Sequence, residues 1–139
     1  MVDTVTVTPI FDGAKYCVYQ FTNKSDGTGE TAVKKIDLVD LVGDLGTLGN
    51  GRGVKSLTFV DASWTVSGFN WVEALWSRPP ANRQILVMAG TDGVSLASVG
   101  NKRDTGRGLG GTGNILITTN GGASGSSYAI RMMFKKNYN

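Results

Sequence analysis

Along most of this chain apolar and polar residues alternate one by one, interrupted by clusters of glycine, asparagine, aspartate and serine. Asp3-Thr4-Val5-Thr6-Val7-Thr8 sets a valine at every second position and then meets Pro9, the pattern of a half-buried strand at a sheet edge or in an amino-terminal arm. After the turn Asp12-Gly13, residues 14–22 predict a second strand, with Tyr16, Val18 and Gln20 on one face and Cys17, Tyr19 and Phe21 on the other. Ser25-Asp26-Gly27-Thr28-Gly29 is a dense turn signal, so residues 30–38 read as a third strand in a hairpin with the second. Leu38, Leu41, Val42 and Leu45 then recur at helical spacing opposite Asp37, Asp40 and Asp44, which predicts one short helix near 38–46, stopped by Gly46 and Gly49.

Strand character returns at residues 54–67, where Val60, Ala62, Trp64 and Val66 alternate. Ser67-Gly68 suggests a tight hairpin into a strand with Val72, Ala74 and Trp76 on one face and Phe69, Trp71, Glu73 and Leu75 on the other. Pro79-Pro80 closes that strand, because paired prolines support neither ladder nor helix. Strands at 83–89, 94–99, 114–119 and 127–136 follow, the last with Tyr128, Ile130, Met132 and Phe134 on one face. A long polar loop is expected at 100–113. Eight or nine short strands with a turn signal every ~8–15 residues predict an all-β fold. Its expected form is an antiparallel, jelly-roll-like β-sandwich with one short helix near 38–46. Residues 1–139 form a single domain in this reading, with 1–12 as an extended arm.

Composition strengthens this picture. Gly (20), Thr (14), Ser (10) and Asn (9) make up 53 of 139 residues, while Glu occurs only twice, so surface helix formers are scarce. The absence of His removes a Ser-His-Asp triad, a His general base and His-ligated metal. A single cysteine, Cys17, excludes an intrachain disulfide and a multi-thiolate zinc site, and reads as a small buried hydrophobe. No run of ~18 apolar residues occurs, and the first residues lack a basic segment leading into an apolar one, so neither a membrane span nor a signal peptide is expected.

The net charge of +3 is divided unevenly: residues 1–50 carry four Lys against six Asp and one Glu (−3), and residues 51–139 carry ten Lys or Arg against three Asp and one Glu (+6). Such asymmetry suits contacts between copies of the chain or with a charged partner. The basic residues are not interleaved with aromatics as a nucleic-acid stacking platform requires, so direct nucleic-acid binding is not expected.

Motifs that hint at chemistry have plainer readings. Gly108-Leu109-Gly110-Gly111-Thr112-Gly113 matches G-x-G-x-x-G, but a loop precedes it and a strand follows, so no helix amino terminus meets a phosphate. Asp26, Thr28 and Glu30 fall short of a calcium loop and read as a capped turn. Glu30 and Glu73 are the only Glu pair for glycoside hydrolysis, with nothing else to support it. Trp64, Trp71 and Trp76 could stack sugars, although burial in a small sandwich accounts for them more simply. No catalytic constellation emerges, so the chain is not expected to be an enzyme or to need a cofactor or metal.

Several segments together resemble small virion structural proteins of tailed bacteriophages: Asp3-Thr4-Val5-Thr6, Ile10-Phe11-Asp12-Gly13, residues 20–30, Val33-Lys34-Lys35-Ile36-Asp37, and the closing strand 127–136. The resemblance spans most of the chain, residues 43–83 excepted, and rests on turns and strands. It is strongest to capsid decoration (cement) proteins, and implies a sandwich on the head surface, made in the host cytoplasm. That protein would bind across major capsid protein subunits, self-associate as a homotrimer, and stabilise the shell by mass action. Asp3, Thr4, Val5, Thr6 and Val7 are the expected partner contacts by strand addition, and Lys102, Arg103 and Arg107 by charge. Removing residues 1–9 is then expected to abolish attachment and spare the fold. A neck or tail component and a carbohydrate-binding module are the alternatives.

Overall fold

The computed structural model describes residues 3–41, 53–77, 82–95, 102–103 and 113–137. Among the described residues ten strands run in chain order: β1 (Thr4–Asp12), β2 (Tyr16–Asp26), β3 (Val33–Ile36), β4 (Ser56–Ser67), β5 (Trp71–Trp76), β6 (Arg83–Met88), β7 (Thr91–Ser95), β8 (Lys102–Arg103), β9 (Ile115–Asn120) and β10 (Ser124–Asn137). They form two antiparallel sheets. The larger has the order β1-β2-β10-β4-β7, with β8 also pairing β4, and the smaller has the order β3-β9-β5-β6.

The predicted alternation explains which faces are buried. Cys17, Tyr19 and Phe21 of β2, Ala62, Trp64 and Val66 of β4, and Tyr128, Ile130, Met132 and Phe134 of β10 turn inward from the larger sheet. Val72, Ala74, Trp76, Ile85, Met88, Ile115 and Ile117 answer them from the smaller one, and all belong to one hydrophobic cluster. Within it Phe59 and Phe134 meet with ring centroids 5.9 Å apart.

The short helix expected near 38–46 is not found among the described residues. Leu38–Asp40 is a single 3-10 turn, and residues 42–46 lie outside the described part. Two apolar anchors and a side-chain hydrogen bond are enough to hold that turn: Leu38 and Leu41 are buried, and the Leu38 N–H donates to Asn114 Oδ1 at 3.0 Å.

Two expected hairpins are also corrected. β2 and β3 lie in different sheets, as do β4 and β5. The links after β2, β4, β6 and β9 all cross between sheets, at the end of the molecule where Lys24, Ser67 and Ser127 share a register row. Asn70 ties two of these links together, its N–H donating to Asn120 O at 2.8 Å. Gly122 (φ +96°) fits there because a Cβ would lie 2.7 Å from Phe69 Cδ1, and Phe69 itself packs on Tyr128. The strand expected at 94–99 begins earlier, since Thr91, Asp92 and Gly93 already pair with Thr65, Trp64 and Ser63.

Candidate functional site

β1 pairs with β2 along its length and with no other strand, so its second edge is open among the described residues. Val5 and Val7 lie opposite Asn23 and Phe21, on the sheet face that elsewhere is interior, yet they are 43% and 38% exposed. The valine alternation predicts a half-buried strand, but the second sheet does not cover this edge. A register shift between Pro9 and Phe11 sends Phe11 to the outer face beside Val18, where it is 56% exposed. Pro9 and this bulge blunt one half of the edge, whereas Thr4 to Thr8 carry neither charge nor proline to deter strand addition. The segment anticipated as an arm is thus an edge strand from Thr4 onward.

The outer face of the larger sheet is flat and rich in small polar residues. A shallow groove of about 660 Å³ crosses it, lined by Val18, Asp61, Ser63, Gly93, Arg131 and Met133. Gly93 lines this groove where β7 runs close to β4: a Cβ there would sit 3.1 Å from Ala62 O.

The expected partner residues separate in the structure. Thr4, Val5, Thr6 and Val7 are exposed on β1, but Asp3 is buried. Its Oδ1 accepts from Ser25 Oγ at 3.0 Å and from the Asp26 and Gly29 N–H groups at 3.2 Å, and its Oδ2 accepts from Asn23 Nδ2 at 2.9 Å. Asp3 is therefore a structural acceptor and not a surface contact. Lys102 and Arg103, expected in a loop, pair as β8 with Phe59 and Thr58. Arg107 lies outside the described residues, as does the expected loop apart from β8 and Gly113.

Asp3 belongs to a buried polar cluster beneath the sheet-crossing links. Asn23 Nδ2 also donates to Glu30 Oε1 at 2.8 Å, Tyr128 donates its hydroxyl to the same oxygen, and Lys35 Nζ contacts Glu30 Oε2. The Lys35 and Glu30 side chains are 1% and 4% exposed. Lys35 reaches the interior because it is the extra residue of a β-bulge between Lys34 and Ile36 in β3. Glu30 is clamped by its backbone: its N–H donates to Thr119 Oγ1 at 2.8 Å, and its carbonyl accepts from the Thr119 N–H at 2.9 Å. The sequence places Asn23, Glu30 and Lys35 within thirteen residues, but a turn followed by a strand gives no sign that all three face inward.

Burial alone raises the Asp3 carboxyl, and the donors Asn23, Gly29, Ser25 and Asp26 outweigh it, so the group is held below the ordinary carboxylate range. A folded-state value below the unfolded one gives stability that is complete above the unfolded value of about 3.9 and is lost as pH falls through the folded one. Urea midpoints taken from pH 6 to pH 3 are expected to fall in the native protein, and to fall less steeply in Asp3→Asn.

The remaining candidates are structural. Asp26 Oδ1 accepts from Thr28 N–H and Oγ1 at 3.0 and 2.6 Å, closing the turn as a cap. Trp64 is buried with its Nε1–H donating to Ala89 O at 3.1 Å, and Trp76 is fully buried, leaving Trp71 half-buried. Burial pushes the Cys17 thiol up to about 12, so it is inert as a nucleophile at neutral pH. Among the described residues no cluster of acids and cysteine has the makings of a metal site, and no helix is long and apolar enough to cross a membrane. No protein-family model matches the chain, and no curated protein sequence matches it.

Proposed function

We propose that this chain is a structural virion protein, a jelly-roll-like sandwich that decorates the head shell of a tailed phage by binding across major capsid protein subunits. In this reading it acts without catalysis or cofactor and self-associates, as a homotrimer. The observation that carries the proposal is the open edge of β1, where five uncharged residues precede the bulge and Val5, Val7, Ile10 and Phe11 are exposed. Strand addition there would satisfy the open backbone edge and cover the valines in one step. The burial of Trp64 and Trp76 disfavours the sugar-binding alternative, which needs accessible aromatic faces.

The test has two arms. Copies of the chain per purified particle, counted by mass spectrometry against the major capsid protein, are expected in a ratio set by lattice sites. Six or twelve copies would move the chain to the neck or tail, and absence would overturn the virion reading. Deleting residues 1–9 would also strip Asp3 from the interior, so Val7→Lys is the cleaner probe of β1. It is expected to abolish attachment in a particle-binding assay while changing stability by no more than about 0.5 kcal/mol, the range for exposed positions.

A further inference from the structure

We propose that the buried cluster at Glu30 forms an intramolecular isopeptide bond between Lys35 and Asn23. Three observations converge on it. The amine and the amide are held by the two oxygens of one carboxylate: Lys35 Nζ contacts Oε2 and Asn23 Nδ2 donates to Oε1 at 2.8 Å. All three groups are sealed from water, with Asn23 3% exposed, so hydrolysis does not compete. The unreacted arrangement also leaves one buried acceptor, Asn23 Oδ1, without a hydrogen bond.

The chemistry balances within these residues. Lys35 passes a proton from Nζ to the Glu30 carboxylate, and the resulting amine attacks Asn23 Cγ. The Cγ–Nδ2 bond breaks as a new Cγ–Nζ bond forms. The second proton lost from Nζ reaches Nδ2, by way of the Glu30 carboxyl, and ammonia departs. One ammonium, one carboxylate and one primary amide become a secondary amide, a neutral Glu30 carboxyl and ammonia. Nothing is oxidised or reduced, and no co-reactant is needed. In the product the Glu30 O–H becomes a donor for the orphaned carbonyl, and the buried charge pair is gone. Glu30 is the catalytic residue, since it touches both reacting groups. Asp3 Oδ2 accepts from the same amide nitrogen at 2.9 Å. A single turnover per molecule is all that is required, and enforced proximity supplies much of the rate.

Intact-mass measurement of the purified, denatured chain tests this directly. The expected mass is about 17 Da below the sequence mass, the loss of one ammonia. Trypsin is expected to yield a branched peptide joining residues 16–24 to residues 35–52. A full sequence mass would overturn the proposal, and so would a mass loss without the branched peptide, which would point to a succinimide at an asparagine such as Asn50 or Asn120, each followed by glycine. Lys35→Arg keeps the charge and is expected to show its full mass. Glu30→Gln is expected to do the same, and a cross-link surviving in it would overturn the role of Glu30. Should Glu30→Gln fail to fold, the native mass and branched peptide decide the proposal alone.

Discussion

Glu30→Ala is expected to destabilise the fold by about 3–5 kcal/mol, the penalty for leaving one member of a buried ion pair without its counter-charge. The substitution strands Lys35 in the interior, removes the acceptor for the Asn23 amide and the Tyr128 hydroxyl, and loosens the link that carries the chain between sheets. Urea unfolding followed by tryptophan fluorescence should show a lower midpoint. Glu73 provides the internal control: it is half-buried on β5 outside the hydrophobic cluster, and Glu73→Ala should change stability far less. Equal effects from the two would mean that the Glu30 cluster is energetically ordinary surface.

The second large effect is expected at Trp76. This side chain is fully buried, and truncating it to alanine removes packing and leaves a cavity, at about 3–5 kcal/mol. Trp76→Phe should cost much less. It keeps most of the ring, and it removes an indole N–H that has no hydrogen-bond partner. Chemical denaturation of both variants gives the comparison; a Phe variant as unstable as the Ala variant would show that the indole shape, and not burial of apolar surface, holds this part of the core. Trp71, half-buried, is expected to tolerate alanine better than either.

The open edge of β1 and the Glu30 cluster are legible in the sequence to different degrees. Thr4 to Val7 are visible as an uncharged alternating strand before a proline, and the structure leaves them exposed. Asp3 reads as part of the same surface, because a carboxylate next to a polar strand is ordinarily solvated. Its burial follows from Ser25 and the Asp26 and Gly29 backbone, which are twenty-two to twenty-six residues away and supply the donors. Lys35 is equally hidden. It faces inward only because β3 pairs with β9 through a bulge, and a bulge depends on the partner strand.

Local alternation by itself determined the inward faces of β2, β4 and β10. Cys17, Tyr19 and Phe21, the run from Ala62 to Val66, and the run from Tyr128 to Phe134 all show it, since a period of two admits only one division into faces. Which strands pair was decided only by tertiary structure. Ser67-Gly68 before β5 reads as a hairpin turn, yet it is a crossing between sheets. Both connections leave the next strand with one apolar face toward the same core, so the pattern along the chain is identical. Among the described residues the helix expected from Leu38 is replaced by a 3-10 turn for a related reason: Leu38 and Leu41 match a helical period, but what they needed was a core to enter, and Asn114 with that core holds them in a single turn.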